Sequence, residues 1–156
     1  MRILSYALAF AIFASAPAAF GAGGEDETGN GYSGGSSEFQ TAAMLVKTGQ
    51  YDKALPRLQK LAVSDPKNPD VFNLLGFSLR KTGDLDNAGV AYERALSLKP
   101  THKGALEYQG ELFLMRGDVG GAEANLARLD DICIFGCDEE RQLKAAIRDW
   151  RAKNGA

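Results

Sequence analysis

Residues 69–102 read PDVFNLLGFSLRKTGDLDNAGVAYERALSLKPTH, and this stretch decides the fold because its pattern returns every 34 positions along the chain. A fixed period in this range is typical of a solenoid array, in which each unit buries its apolar face against the next unit. The residues that recur at this interval are Gly49, Gly83 and Gly117; Ala54, Ala88 and Ala122; Pro66 and Pro100; and Leu58, Tyr92 and Leu126.

Apolar residues at helical spacing predict that each unit is a pair of α-helices joined at its glycine. Glycine tolerates the left-handed backbone that ends a helix and begins a tight turn. Pro66 and Pro100 end the second helix of their units, and Asn68 before Pro69 is typical of an N-cap. The predicted pairs are Glu38–Thr48 with Tyr51–Ser64, Pro69–Thr82 with Leu85–Leu98, and His102–Arg116 with Val119–Asp131.

A last amphipathic helix is predicted over Glu139–Ala152. Its apolar residues fall at positions i, i+3, i+4 and i+7, which gives one apolar stripe. The acids at its start and the bases near its end complement the helix dipole. The last unit of an array has an uncovered apolar side, so we expect this helix to cover it. The stripe consists of Leu143, Ala146, Ile147 and Trp150.

The middle unit resembles the tetratricopeptide repeat family. Phe72 stands where that family usually has tryptophan, and Leu79 where tyrosine is common. The resemblance covers residues 35–136 and implies an all-α, right-handed superhelix of three repeats, about 35–68, 69–102 and 103–136, with 137–156 as a capping helix and tail. The residues that match the family signature are Phe72, Leu75, Gly76, Leu79, Gly83, Ala88, Tyr92, Ala95 and Pro100.

The first 21 residues have the features of a secretory signal peptide. Arg2 precedes an apolar run and small residues lead to Gly21, near which we expect cleavage. The run is too short for a spanning helix, so no stable membrane anchor is expected after cleavage. Residues 22–37 are rich in glycine, serine and acids and predict a flexible linker. The stretch Asp131–Glu140 resembles small exported repeat proteins of proteobacteria, which implies a periplasmic location.

Charge argues against a nucleic-acid partner. Removal of residues 1–21 takes away Arg2 and no acid, so the formal charge changes from −2 to −3. Nucleic-acid binding requires a clustered basic face, which a mildly acidic chain with mixed charges does not offer.

The family resemblance implies that a partner binds in the groove lined by the first helix of each repeat. In some relatives lysine, asparagine and arginine in this groove hold a terminal carboxylate, but here only Asn73 matches that scheme. An apolar strip with Arg80 and acids beyond it instead suits an amphipathic segment of a partner protein, with Phe39 and Phe77 as apolar anchors. The alternative is that Phe39 and Phe77 pack between helices. The candidate groove residues are Phe39, Ala43, Val46, Asn73, Phe77, Arg80, Glu107, Glu111 and Leu114.

Cys133 and Cys137 leave three interpretations open. A disulfide between them would fix the turn before the last helix, as expected in an oxidising compartment. A redox-active pair usually has two intervening residues instead of three. A metal site needs further ligands, and His102, the only histidine, is more typical of a helix cap.

No motif of an enzyme or of a bound cofactor is present in the sequence. The sequence therefore predicts a non-catalytic scaffold or adaptor that binds a protein or peptide. The alternative is a periplasmic accessory protein that handles thiols or metals through Cys133 and Cys137. Self-association through the same apolar strip is a third hypothesis.

Overall fold

The computed structural model describes residues 36–155, which form seven α-helices and no β-strand. The predicted signal peptide (1–21) and residues 22–35 of the predicted linker lie outside the described residues. The helices are α1 (Ser37–Lys47), α2 (Tyr51–Ser64), α3 (Pro69–Thr82), α4 (Leu85–Leu98), α5 (Lys103–Met115), α6 (Val119–Ile132) and α7 (Asp138–Asn154).

The predicted bounds of α2, α3 and α4 are confirmed, and the other helices differ by one or two residues at one or both ends. The predicted linker extends too far, because Ser36 is the N-cap of α1 and Ser37 is its first residue. The Ser36 hydroxyl accepts a hydrogen bond from the Phe39 amide at 3.3 Å. Serine at this position supplies an acceptor for an amide that has no partner within the helix.

The turns between paired helices share one hydrogen-bond pattern. The amide of Asp84 donates to the carbonyl of Leu79 at 2.9 Å, across Gly83, whose φ is 92°. This six-residue bond is the Schellman arrangement, which needs a left-handed residue after the helix. The equivalent bonds in the other two turns run from Gln50 to Leu45 and from Asp118 to Phe113. The predicted role of the recurring glycines is therefore confirmed.

Gly76 and Gly110, on the first helices of the second and third repeats, allow close contact between a helix backbone and a large side chain. A Cβ atom at Gly76 would lie 2.7 Å from the ring of Tyr92, which is fully buried on α4. At Gly110 a Cβ atom would lie 2.6 Å from Leu143 of α7. The predicted cap is therefore confirmed, because α7 covers the last repeat with Leu143 and Ile147, both of which are buried.

Neighbouring repeats are also joined by a recurring arginine bond. Arg94 on α4 donates to the carbonyl of Pro66 at 3.0 Å, and Arg128 on α6 donates to the carbonyl of Pro100 at 2.8 Å. Both carbonyls follow the end of a second helix, where no later turn of helix supplies a donor. Each arginine therefore links its own repeat to the end of the preceding one.

We predict that Gly76→Ala destabilises the protein by about 1–3 kcal/mol, because the new methyl group overlaps the immobile Tyr92 ring. Urea denaturation measures the change. Gly120→Ala is the matched control, since the nearest atom to a Cβ there is 3.7 Å away. We expect the control to be neutral or slightly stabilising because alanine favours a helix. Equal effects of the two substitutions would contradict the close-contact explanation.

Candidate functional site: the face of the first helices

The nine predicted groove residues lie on α1, α3 and α5, the first helices of the three repeats. Three of them, Ala43, Phe77 and Glu111, are partly exposed. The other six are buried: Phe39, Val46, Asn73, Arg80, Glu107 and Leu114.

The expectation that Phe39 is an exposed anchor is corrected by its burial. Its side chain is 3% exposed and belongs to a core cluster with Ala42, Val46 and Val71. Phe39, Ala42 and Val46 fall at i, i+3 and i+7, so they form the single buried stripe of α1. Leu114 is likewise a core residue, in the cluster that α7 completes.

Phe77 is the centre of an aromatic group that joins three helices. Its ring centroid lies 5.8 Å from that of Tyr51 on α2 and 4.6 Å from that of Tyr108 on α5. The Arg80 guanidinium lies 5.5 Å from the Phe77 centroid and the Lys81 ammonium 5.2 Å from it. Both separations allow cation–π attraction. The group therefore presents an aromatic surface with two cations beside it.

Sequence reasoning missed Tyr51, Lys81 and Tyr108 as members of this group. Tyr51 opens a second helix, which the family resemblance does not place in the groove. Tyr108 stands at a groove position, but it does not match the residues that hold a terminal carboxylate in some relatives, so that scheme does not select it. Lys81 follows Arg80 directly, and this pair of adjacent cations is the one signal that could have indicated it.

Arg80 is held by an ion pair across two repeats. Its guanidinium lies 2.5 Å from the carboxylate of Glu111, and the Arg80 side chain is almost fully buried. A buried guanidinium needs such a partner because its desolvation is costly. This pair brings together two of the predicted groove residues from neighbouring repeats.

Glu107 is a buried acid without a partner. Its side chain makes no hydrogen bond or ion pair within residues 36–155, and only 3% of the residue is exposed. Burial raises the pKa of Glu107 to about 8, and the negative charges of Glu111 and Glu139 act in the same direction. Burial, with Glu107 and Glu111 nearby, also raises the pKa of Tyr108 to about 12.

His102 is the N-cap of α5, as its position in the sequence predicts. Its Nδ1 atom accepts a hydrogen bond from the Ala105 amide at 3.1 Å, so Nε2 carries the hydrogen that faces Asp70 at 2.9 Å. This hydrogen bond lowers the pKa of the Asp70 carboxyl. Among residues 36–155 no group of three or more histidine, cysteine or acidic side chains could hold a metal ion.

The two cysteines lie together in the turn between α6 and α7. The Cα atoms of Cys133 and Cys137 are 5.6 Å apart and their sulfur atoms are joined, which is the predicted pairing. Between them Ile134 is 82% exposed and the Phe135 side chain is fully exposed. The short covalent loop therefore presents two apolar side chains that play no part in the core.

Two concavities in the surface of residues 36–155 are lined by residues other than the three aromatic side chains of the group around Phe77. One, of about 540 Å³, lies between α2 and α4 and has Phe72 and Leu75 in its wall. The other lies beside α1 and α2 and has charged walls that include Lys53 and Arg57. Phe77 itself lines neither of them.

Paired helices with a 34-residue period, glycine-mediated contacts and a capping helix define a helical-repeat interaction module. The tetratricopeptide repeat model matches residues 44–103 and 78–135, and the chain belongs to that family. The resemblance seen in the sequence is therefore confirmed.

Solved structures with the same fold include chaperones of type III secretion. The type III secretion translocator chaperone SycD of Yersinia enterocolitica superposes with a TM-score of 0.67 at 19% identity, covering 76% of this chain and 92% of that one. PcrH in complex with the chaperone-binding region of PopD superposes at 0.66 and 18% identity, covering 75% and 90%. At such identities the similarity establishes the fold alone.

A curated relative shares part of its length with this chain. The probable biofilm formation methyltransferase WspC of Pseudomonas putida is 30% identical over 91 residues, which is 58% of this chain. The chain spans about a fifth of that relative, since the match covers 22% of it.

Within residues 36–155, no helix has the length and apolar content needed to cross a membrane.

We predict that the stability difference between wild type and Asp70→Asn depends on pH. The folded-state pKa of Asp70 is lowered, so its stabilisation is present above the pKa of an unfolded aspartate. It is lost as the pH falls through the lower folded value. Because Asp70 is partly exposed, the difference stays under about 1 kcal/mol.

Urea denaturation at pH 6, 4 and 2.5 measures the Asp70 effect. Asp52→Asn is the control, because Asp52 is also an acid in the first turn of a helix but has no histidine partner. A difference between Asp70→Asn and wild type that stayed constant down to pH 2.5 would contradict the role given to the His102 bond.

Proposed function

We propose that the protein is a non-catalytic adaptor that binds a segment of a partner protein against the face formed by α1, α3 and α5. The observation that supports this proposal is the aromatic group around Phe77. Phe77 stays partly exposed although aromatic neighbours on two other helices flank it. An apolar side chain in such a position gains free energy when a partner covers it.

The surroundings of Phe77 favour binding because little has to be ordered when a partner arrives. Tyr51 and Tyr108 flank its ring, and the ion pair with Glu111 fixes Arg80. Binding to a surface whose side chains are already held loses less conformational entropy. Aromatic and arginine side chains at the centre of a contact are also the ones that usually dominate its free energy.

Structural neighbours are consistent with this function. SycD has been solved with a peptide of the translocator YopD, PcrH with the chaperone-binding region of PopD, and the first repeat domain of Spaghetti with an HSP90 peptide. The peptides in these complexes are ligands of those proteins and not of this chain. The complexes support the proposal because the proteins in them have the fold that this chain shares.

The proposal includes export to the periplasm. Its support is the apolar run after Arg2, the small residues before Gly21, and the joined Cys133 and Cys137. Disulfides persist in oxidising compartments such as the periplasm and are rare in the cytosol.

We predict that Phe77→Asp abolishes capture of the main partner, because a carboxylate would replace the exposed aromatic surface. Wild type and variant, each recovered from the native cell, are immobilised, and the proteins retained are identified by mass spectrometry. The intact mass of each recovered chain also reports whether residues 1–21 are removed. Circular dichroism establishes that the variant keeps its helices.

Val63→Asp is the matched control for this experiment. Val63 on α2 is 82% exposed and lies outside the aromatic group, so its replacement adds the same charge elsewhere. We expect Val63→Asp to retain the partner. Equal capture by Phe77→Asp and wild type would refute the proposed surface.

A second candidate function is thiol–disulfide exchange, and one observation favours it. Cys137 is the N-cap of α7, and a helix N-terminus stabilises a thiolate. The three acids that follow it, Asp138, Glu139 and Glu140, oppose that effect because they add negative charge at the same place. Cys133 is also buried, at 7% exposure. We therefore favour a disulfide with a structural role.

We predict that the Cys133→Ser, Cys137→Ser double variant loses about 2 kcal/mol of unfolding free energy, the value expected for closing so short a loop. It should still capture the partner. Alkylation of the native chain without reductant, followed by intact mass, should show no modified thiol. Two readily alkylated thiols of low pKa would instead favour the redox function.

A further inference from the structure

The acids around Glu107 outnumber the cations that neutralise them. Glu111 is paired with Arg80, and Asp138 is paired with Arg141 in the first turn of α7. Neither Glu107 nor Glu139 forms an ion pair within residues 36–155. The junction of α5 with α7 therefore contains two carboxyl groups that form no ion pair within the described residues.

Glu107 is the buried one of these two carboxyl groups. It lies one helical turn before Glu111 on α5, and only 3% of the residue is exposed. Buried acidic side chains are normally paired or hydrogen-bonded, because an isolated carboxylate is costly to remove from water. An acid of this kind beside an accessible aromatic surface is a candidate contact for a ligand.

The aromatic group adjoins these acids. Tyr108 follows Glu107 in α5, and its ring lies 4.6 Å from that of Phe77. Arg80 faces the Tyr108 ring at 5.8 Å and pairs with Glu111. An apolar surface and an unbalanced acidic group thus share one edge.

We infer that the acidic end of this surface, formed by Glu107 and Glu139, receives a lysine or arginine side chain of the partner segment while an apolar side chain next to it covers Phe77. This inference rests on the proposed function and specifies the chemistry of the partner. Charge complementarity of this kind fixes the register of a bound segment. It also disfavours partners that have an acidic side chain at the place of the cation.

The order of charges also gives a direction along the surface. Lys81 and Arg80 lie beside Phe77 on α3, whereas Glu107 and Glu139 lie on α5 and α7. An acidic partner would meet Glu139 at one end, where like charges cost free energy. A segment with its cation toward α7 avoids that repulsion.

The experiment uses displayed random 12-residue peptides selected on the purified full chain. We expect the selected peptides to contain lysine or arginine beside a large apolar residue. A selected peptide is then synthesised in two forms, one with its lysine or arginine and one with norleucine at that position. The norleucine peptide should bind wild type about tenfold more weakly or worse, while both peptides should bind the Glu107→Gln, Glu139→Gln variant about equally.

Matched variants separate this inference from the proposed function. Glu140→Gln removes a neighbouring acid that does not act on Glu107, so the difference between the two peptides should persist. If peptides bind Phe77→Asp more weakly than wild type and yet show the same affinity for wild type and for the Glu107 and Glu139 variants, only the cation inference is overturned. Failure to select any peptide that depends on Phe77 would count against both. Selection of acidic peptides would also overturn the inference.

Proton release provides a second readout. The groups that act on Glu107 are Glu111, Glu139, Arg80 and Asp138, and together with burial they leave its pKa at about 8. A bound cation favours the carboxylate, so binding should release a proton and should tighten by about tenfold from pH 6.5 to 8.5. Calorimetry in two buffers of different ionisation enthalpy measures the proton. In Glu107→Gln the affinity should not change with pH, and a pH-independent wild type would contradict the inference.

Discussion

Close approach of helices at two glycines is the constraint on which the rest of the structure depends. Gly76 admits the Tyr92 ring of the same repeat, and Gly110 admits Leu143 of the capping helix. Neither position has room for a methyl group without movement of a buried neighbour. Because tightly packed interiors tolerate little change of volume, these contacts set the spacing of the helices that follow. The cap and the face of the first helices both inherit that spacing.

Tight packing also explains why fewer residues are accessible in the candidate site than the sequence pattern predicts. Family positions that line the groove in relatives are here partly used for the core, as with Val46 and Leu114. What stays accessible is concentrated around Phe77, where three helices contribute aromatic rings. The surface carries Arg80 and Lys81 on α3, and Glu107 and Glu139 on α5 and α7, so its two ends differ in charge.

The repeat architecture could be predicted from the sequence because periodicity and turn residues act locally. Gly83 ends α3 and Asn68 caps it, and both assignments follow from the residues themselves. The aromatic group could not be predicted in the same way, since Tyr51 and Tyr108 meet Phe77 only after three helices have packed. The sequence left two roles open for Phe39, because one apolar stripe on a short helix can serve the core or a partner and the spacing is the same for both. Its burial decides for the core. Residues 1–35 retain the status of a sequence-based prediction.

The arginine bonds between repeats have a mechanical consequence. Arg94 reaches back 28 residues to Pro66 and Arg128 reaches back 28 residues to Pro100, while Arg151 of the cap reaches the same distance to Glu123. Each link resists a sliding motion between one hairpin and the next, so the pitch of the superhelix is stiffened along one edge. Because all three bonds are exposed to solvent, they orient neighbouring repeats more than they stabilise them.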